Sequence, residues 1–324
     1  MNTGKPKLSF MYTSLLFIAC CSVGISSFPV NGIKEKPVSY KEIFARADSF
    51  VAITNDGRID WISDKGTVIK SKSIEGEAFH TVTINNLQMV VAGISGALYF
   101  FDNDTTFMKI ETGTKSPANC LALFNGKVIA GYDNGELRIG NTGFSFKTVR
   151  IGLKGNIISL SVTTKECYGV TDQGEIIHTN DGTEWTTFDF NKIYNGYYKT
   201  CSFTKIITTP GQIAVIGKDI NGLPVLFFSS KGTVWTQRLL TYTDEKGFID
   251  TFNDITNDIY YDSSKEQFIM ACNNGKLMTI PSCSHCNKLY NITDKNLNGI
   301  SGNEHVIIIV GEENYIKIID ADIL

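Results

Sequence analysis

The sequence predicts an all-β fold, a seven-bladed β-propeller with four-stranded blades. Three observations support this prediction: a repeat with a base period of 39 residues, four short strand-like segments in each unit, and no unit with a convincing helix of ten or more residues. A single sheet of this size cannot bury both of its faces, so each unit needs a neighbour on either side. Seven units closed into a ring satisfy that requirement.

The repeat is visible in a short turn that follows an apolar strand. The turn reads "VAGISGAL" in the second unit, "IAGYDNGEL" in the third and "YGVTDQGEI" in the fourth. Its central residues are Gly57, Gly96, Gly135, Gly174, Gly222, Gly275 and Asn314. The steps between them are 39, 39, 39, 48, 53 and 39 residues. Glycine and asparagine are expected there because such tight turns require a positive φ.

Each unit contains two hairpins. In the third unit "CLALFNG" and "KVIAGYDNG" form the first hairpin, and "ELRIGN" and "FSFKTVRI" form the second. Alternating apolar residues, β-branched side chains and NG or DG turns are typical of hairpins.

A second motif recurs between the third and fourth strands. It reads "TNDGTEW" at residues 179–185 and "SSKGTVW" at residues 229–235. The motif resembles the Asp-box, or BNR repeat, although it is one residue shorter than the usual form and Lys231 replaces the aspartate in the second copy. The resemblance implies a structural turn at the blade periphery. Its residues here are Asp181, Gly182, Trp185, Gly232 and Trp235.

The family resemblance does not extend to sialidase activity. Asp-box propellers include sialidases, which bind the substrate carboxylate with three arginines. The five arginines of this chain form no plausible triad: Arg46, Arg58, Arg138, Arg150 and Arg238. The seven-unit arrangement is more similar to photosystem II stability/assembly factor-type propellers, which implies a binding function. Arginine is scarce here, so the basic patch and the partner of those proteins do not carry over.

We therefore expect a non-catalytic binding scaffold for a protein or glycan partner, and a monomer. The alternative is a carbohydrate-active enzyme that uses carboxylates on the turns. Those carboxylates are Asp56, Asp133, Asp172, Asp219, Glu312 and Glu313. Aspartate also suits tight turns for structural reasons, so enzyme activity is the less favoured hypothesis. The net charge of −3 and the lack of a basic block argue against nucleic-acid binding. No cofactor or metal site is expected.

The binding site is predicted from two long steps in the repeat. Extra residues fall in the connections at 191–200 and 241–254, and the turn at 217–222 is also lengthened. Connections between blades and the turns between second and third strands emerge on the same face, so these insertions should be neighbours. The candidate binding residues are Tyr194, Tyr197, Tyr198, Asp219, Tyr242, Asp244, Phe248, Asp250 and Phe252. The alternative is that the rings only cap the apolar core.

The N-terminus is expected to direct export. Lys5 and Lys7 precede an apolar run at residues 8–25, which is typical of a secretory signal. Cys20 and Cys21 are candidates for lipidation, and cleavage near "GISS" is the rival hypothesis. Residues 1–27 are thus assigned to a signal peptide or lipoprotein signal, and residues 28–324 to one propeller domain. We expect a protein of the cell envelope or a secreted protein, with possible attachment to the membrane by lipid or by an uncleaved signal.

Two further expectations concern closure and cysteine chemistry. The last unit is one strand short, and residues 30–37 are predicted to complete it. "CSHC" places Cys283 and Cys286 where the other units have a turn, and a local disulfide is expected there, with free thiols or half a zinc site as alternatives. Four other cysteines should be small buried apolar residues: Cys120, Cys167, Cys201 and Cys272.

Overall fold

The computed structural model describes residues 37–320, except residues 86–87, 103, 105, 142–144, 245, 283–286 and 304. Antiparallel sheets form seven blades around a central channel, so the predicted seven-bladed all-β fold is confirmed. Each innermost strand contacts the innermost strand of the next blade, and the first contacts the last. The only α-helix in the described residues is one turn, α1 (Phe190–Ile193).

The strands follow one another from the channel outward in each blade. Blade one contains β1 (Tyr40–Ala45), β2 (Ser49–Thr54), β3 (Ile59–Ser63) and β4 (Val68–Lys72). Blade two contains β5 (Phe79–Ile84), β6 (Met89–Gly93), β7 (Ala97–Phe101) and β8 (Phe107–Glu111). Blade three contains β9 (Cys120–Phe124), β10 (Lys127–Gly131), β11 (Glu136–Asn141) and β12 (Phe146–Arg150). Blade four contains β13 (Ile157–Val162), β14 (Cys167–Thr171), β15 (Glu175–Thr179) and β16 (Thr186–Asp189).

The later blades depart from this plan. Blade five contains β17 (Cys201–Thr208), β18 (Ile213–Asp219), β19 (Pro224–Ser229) and β20 (Thr236–Arg238), and a separate hairpin follows it, β21 (Thr241–Thr243) and β22 (Ile249–Thr251). Blade six contains β23 (Thr256–Asp262), β24 (Gln267–Cys272), β25 (Lys276–Pro281) and β26 (Lys288–Asn291). Blade seven has three strands within the described residues, β27 (Leu297–Gly302), β28 (Val306–Gly311) and β29 (Ile316–Asp320).

The repeated turn residues all adopt the backbone conformation that the sequence predicts. Their φ angles are positive in all seven units, from 59° at Asn314 to 88° at Gly96. Space is also restricted at some of these turns, since a Cβ on Gly275 would lie 1.7 Å from the carbonyl oxygen of Thr293. The turn chemistry therefore sets the register of the second and third strands in every blade.

The core is divided among the interfaces between blades. Seven apolar clusters occur in the described residues, and each draws its side chains from two adjacent blades. One of them closes the ring by packing Tyr40 and Phe50 of blade one against Ile308 and Val310 of blade seven. Burial between blades is thus what stabilises each four-stranded unit, as the repeat predicts.

The predicted fourth strand of blade seven, residues 30–37, falls almost entirely outside the described residues, so its closing role stays a prediction. Nearby, Asn314 donates its backbone N–H to the carbonyl of Val38 at 2.6 Å, and the Glu313 N–H donates to Ser39 Oγ at 3.3 Å. The candidate lipidation cysteines, Cys20 and Cys21, and the candidate disulfide, Cys283 and Cys286, also lie outside the described residues.

The other four cysteines are buried and unpaired, as expected: Cys120, Cys167, Cys201 and Cys272. Burial raises the pKa of the Cys167 thiol to about 12, and burial together with the Asp219 carboxylate raises that of Cys201 to about 11. Such thiols are protonated at neutral pH and are poor nucleophiles.

Candidate functional site

A cleft with a volume of about 350 Å³ opens beside the outer part of blade five. Its walls come from the connection into blade five, the β18–β19 turn, and the connection from blade five to blade six. Four of the nine candidate binding residues line it: Tyr197, Tyr198, Asp219 and Phe252. The structure therefore brings the three insertions together, although only part of each faces the cleft.

Asp219 fixes the β18–β19 turn at the edge of the cleft. Its Oδ1 accepts backbone N–H groups from Asn221 at 2.8 Å and Leu223 at 2.9 Å, and its Oδ2 lies 3.2 Å from Lys199 Nζ. Burial alone raises the pKa of this carboxyl group, but these amides and the lysine outweigh that effect, so the pKa lies below its usual value. Asp219 is consequently a charged, fully bonded support for the cleft wall.

Tyr194 and Tyr198 are half-buried between blades four and five. The Tyr194 hydroxyl accepts the Trp235 N–H at 2.7 Å, and the Tyr198 hydroxyl lies 3.5 Å from the Gln237 N–H, both on the free edge of blade five. Tyr198 also stacks on Phe190 at 6.0 Å with an interplanar angle of 12°. These two rings therefore cap the apolar core between the blades, which is the alternative that the sequence left open. Part of Tyr198 still faces the cleft.

Tyr197, between those two tyrosines, has the opposite environment. Its side chain is 84% exposed and stands at the mouth of the cleft. The loop that carries it is held in place by Asn191, whose side chain donates to the Cys201 carbonyl and accepts the Cys201 N–H, at 2.9 and 2.8 Å. An exposed ring on a loop fixed in this way is preorganised for contact with a ligand.

Four other candidates belong to the β21–β22 hairpin and do not line the cleft: Tyr242, Asp244, Phe248 and Asp250. The Tyr242 hydroxyl donates to Asp250 Oδ2 at 3.2 Å, while Asp244 Oδ1 accepts the backbone N–H groups of Lys246 and Phe248 at 2.9 and 2.7 Å. Phe248 is exposed beside the turn. The prediction that all nine residues form one neighbouring set is therefore only partly met, because the 241–254 insertion folds into its own hairpin.

The hairpin is attached to blade six. β21 lies beside β26, and Asn287 Nδ2 donates to the Thr241 carbonyl at 2.9 Å and the Leu239 carbonyl at 3.3 Å. Phe252, which follows β22, is buried in the cluster between blades five and six, with Lys276 Nζ 6.0 Å from its ring centre. Phe252 thus anchors the hairpin, and most of its ring is unavailable to a ligand.

Most of the exposed large apolar side chains in this part of the chain are aliphatic, and they are not among the residues predicted from the sequence. Fourteen large apolar side chains are exposed in the described residues, and nine of these lie between residues 193 and 255. The nine are Ile193, Tyr197, Ile220, Leu223, Val234, Leu239, Phe248, Ile249 and Ile255. The signal available in the sequence was the pair of aliphatic residues around the turn glycine in "DINGL", where units one, three, four and six have polar ones.

The cavity in the central channel is lined by four charged residues, Lys41, Glu42, Lys205 and Asp258. Most innermost strands have a register shift near their first residues. Glu42, Lys205 and Asp258 are the residues that directly follow this shift in blades one, five and six. Lys205 Nζ lies 3.2 Å from Asp258 Oδ1, and Asp258 Oδ2 accepts the Ile300 N–H at 3.0 Å. Glu42 accepts the Thr81 hydroxyl at 2.9 Å. The cavity here measures about 150 Å³. Both carboxylates are thus already occupied by contacts between blades.

The carboxylates on the turns are also engaged locally. Asp133 accepts the Asn119 side chain at 2.9 Å, Asp172 accepts the Asn156 side chain at 3.0 Å, and Glu312 accepts that of Asn296 at 3.1 Å. Asp56 contacts Thr54 and Arg58, and Glu313 pairs with Lys295 at 3.1 Å. In these contacts the carboxylates stabilise the turns that carry them. None of the contacts identifies two carboxylates as a catalytic acid and base.

The two tryptophan-containing turns have the local geometry expected of structural turns. Asp181 accepts the N–H groups of Thr183 and Glu184 at 2.7 and 2.9 Å, and the Thr183 hydroxyl and these amides hold its pKa well below the usual range. Gly182 and Gly232 have φ values of 72° and 71°. Trp235 is buried and donates its ring N–H to the Gly232 carbonyl at 3.1 Å, and Trp185 packs between blades three and four. Membership of the Asp-box repeat remains a resemblance in sequence.

Within the described residues, no group of three or more histidine, cysteine or acidic side chains is placed to hold a metal ion. In the same residues, no helix has the length and apolar character needed to span a membrane.

Comparison with known proteins identifies the fold. No family model matches the chain, and no curated protein matches it in sequence. A structure of YCF48 bound to D1 peptide is similar, with a TM-score of 0.64 and 14% identity, covering 88% of this chain and 92% of that one. A computationally designed protein, Ika8, has a TM-score of 0.61 and 9% identity, covering 88% and 98%. The architectural resemblance to photosystem II assembly factors is therefore confirmed at the level of fold.

Proposed function

We propose that the protein is a non-catalytic binding scaffold that holds a segment of a partner protein at the cleft of blade five. The observation that carries this proposal is the number of exposed apolar side chains in the segments that build the cleft: nine of fourteen lie between residues 193 and 255, and three of them, Tyr197, Leu223 and Leu239, line it. Exposed apolar side chains gathered at a cleft are costly in water and typical of interaction sites. The blades themselves form a rigid ring on which such a surface is displayed.

The composition of the surface favours a protein over a glycan. Sugars bind to the flat faces of aromatic rings, and among the nine exposed apolar residues only Tyr197 and Phe248 are aromatic. The remaining seven are aliphatic and fit the side chains of another protein. The YCF48 structure, which contains a D1 peptide, supports the general idea that a propeller of this arrangement can hold a polypeptide segment.

The test is capture of the partner by the purified mature protein, identification by mass spectrometry, and measurement of the dissociation constant with the purified partner. Replacing Tyr197 and Leu239 together with serine should weaken binding about tenfold or more, because each removes a large apolar contact. Ile69→Ser is the matched control, since Ile69 is 62% exposed on blade one. Equal affinity of all three proteins, or binding to glycans alone on a glycan array, would contradict the proposal.

We also propose that the protein acts outside the cytoplasm. The basic and apolar character of residues 1–25 supports this. Mass spectrometry of the N-terminus of the protein isolated from its own cells tests it. A mature chain beginning near residue 27, or a lipidated Cys20 or Cys21, is expected. An intact Met1 on protein recovered from the cytoplasm would refute it.

A further inference from the structure

The β21–β22 hairpin has one strand edge whose backbone groups face outward. Asp244 donates its N–H to the Phe248 carbonyl at 2.8 Å, and Phe252 donates to the Leu240 carbonyl at 2.8 Å. In an antiparallel ladder, hydrogen-bonded pairs alternate with non-bonded pairs. The Tyr242–Asp250 pair lies midway between the Asp244–Phe248 and Leu240–Phe252 pairs, so it is also a hydrogen-bonded pair. The Thr243–Ile249 pair is then a non-bonded one, and the N–H and C=O of Ile249 point away from β21.

The outward edge of β22 is open in the described residues. All three residues of β22 are exposed, and Ile249 is 79% exposed. The opposite side of the hairpin is covered, because β21 lies beside β26 of blade six. Thr251 lines the cleft of blade five, so the open edge of β22 borders the same cleft.

The free edge of β20, in the neighbouring blade five, is protected by side chains. The free edge of β20 has its N–H groups engaged, because the hydroxyls of Tyr194 and Tyr198 lie against Trp235 and Gln237. Proteins commonly protect an edge in this way, or with proline, lysine or a bulge. β22 has no proline, lysine or bulge; Asp250 Oδ1 accepts the Thr251 N–H at 2.7 Å, but the N–H and C=O of Ile249 remain directed outward.

We propose that β22 accepts an extended segment of the partner protein as an added strand along the cleft. The inference rests on the proposed function and specifies how the partner binds. An extended backbone carries donors and acceptors at the spacing that matches the N–H and C=O of Ile249 and the C=O of Thr251. Side chains alternate along β22, with Ile249 and Thr251 on one face and Asp250 on the other.

The side chains of β22 define the chemistry of the partner segment. Ile249 is exposed on β22, and Leu239 and Tyr197 line the cleft that Thr251 also lines, so this surface fits aliphatic side chains. The carboxylates of Asp250 and Asp244 lie on the same hairpin and favour basic side chains. The partner segment should therefore alternate aliphatic and basic residues.

Binding of a defined peptide tests the mode of recognition. The probe is a short fluorescein-labelled peptide of alternating lysine and valine, titrated with the full mature protein and followed by fluorescence anisotropy. We expect saturable binding. The same peptide with an N-methyl group on every amide, which leaves no N–H on either edge, should bind about tenfold more weakly because it loses two or more backbone hydrogen bonds. A glutamate–valine peptide should also bind more weakly.

Two proline variants locate the added strand. Ile249→Pro removes an N–H that faces outward from β22 and leaves the bonds to β21 in place. Thr243→Pro is the matched control, since Thr243 pairs opposite Ile249 and its N–H faces away from β22. Ile249→Pro should weaken binding of the peptide about tenfold relative to Thr243→Pro, while the two melt at similar temperatures. Ile249→Ala, which keeps the N–H, should have a smaller effect.

Three results would overturn the inference: no saturable binding of the peptide, equal binding of the N-methylated peptide, or equal affinity of the two proline variants. Light scattering provides a further check, because a dimer abolished by Ile249→Pro would make a second copy of this chain the occupant. If Tyr197→Ser with Leu239→Ser weakens capture of the partner while Ile249→Pro does not, the proposed function stands and strand addition fails. If neither affects capture, both fail.

Discussion

Removing the lysine from the central channel should destabilise the propeller more than removing a lysine from its surface. Lys205 Nζ lies 3.2 Å from Asp258 Oδ1, and the Asp258 side chain is almost fully buried. Lys205→Met would leave this carboxylate with two backbone N–H groups, those of Ile259 at 2.9 Å and Ile300 at 3.0 Å, and no cation. It would also remove the positive charge that faces Glu42.

The magnitude follows from the burial of the pair. Breaking a buried ion pair from one side costs about 3–5 kcal/mol, because an uncompensated charge remains. Lys205 is 28% exposed in the channel, so we expect the low end, about 3 kcal/mol. Lys199→Met is the control, since Lys199 makes a contact of the same 3.2 Å length with Asp219 but is 55% exposed. That variant should lose about 1 kcal/mol or less.

Urea unfolding followed by the fluorescence of the three tryptophans measures both variants. A second change, Asp258→Asn in the Lys205→Met protein, should recover part of the loss, because the unpaired charge is then gone. The reasoning is wrong if Lys205→Met costs no more than Lys199→Met, or if the added Asp258→Asn change lowers stability further.

Three other predictions follow from the geometry. Burial raises the pKa of Glu42 despite the opposing effects of Lys205 and the Thr81 hydroxyl. The contribution of Glu42 to the free energy of unfolding is therefore fully present below the unfolded-state pKa near 4.5 and is lost as the pH rises through the folded-state pKa. Glu42→Gln should therefore gain stability over wild type at neutral pH and lose that advantage in acid, and a urea midpoint difference that does not change with pH counts against this. Gly275→Ala should cost about 3 kcal/mol or more, since its Cβ would meet the Thr293 carbonyl at 1.7 Å, whereas Gly222→Ala, with open space around a φ of 81°, should cost only about 1–2 kcal/mol. Equal losses would contradict the steric argument. If residues 30–37 complete blade seven, deletion of residues 1–36 should lower the melting temperature below that of a protein lacking residues 1–27, and coincident melting curves would refute that closure.

The sequence predicted the fold well because its strongest signals are local. A positive φ at Gly57 or Asn314 is a property of a four-residue turn, and its recurrence at a 39-residue period needs no knowledge of tertiary contacts. The lengths of the steps into units five and six also marked the place where extra structure occurs.

The site could be predicted only in outline, because the environment of each side chain depends on packing between blades. Tyr197 and Tyr198 are adjacent in the chain, yet the first is exposed and the second packs on Phe190. The sequence gives no reason to separate them. The sequence indicates only a long connection at 241–254, whereas two three-residue strands pair within it. Strands that short have too little periodicity to be predicted.

The charges of the channel were missed for a related reason. Lys205 and Asp258 occupy comparable places after the register shifts of blades five and six, but the same place holds Thr81 in blade two and Gly299 in blade seven. The ion pair has no counterpart in the repeat, and the packing of blade five against blade six brings the two residues together.

The measurement that tests the central claim most directly is hydrogen–deuterium exchange of the full protein with and without its captured partner. The proposed scaffold predicts slower exchange in residues 193–201, 219–225 and 239–253, with the amide of Ile249 among the most protected and the innermost strands unchanged. Protection on the opposite side of the ring, around Ile69 or Ile94, with no change at the blade-five cleft, would contradict it.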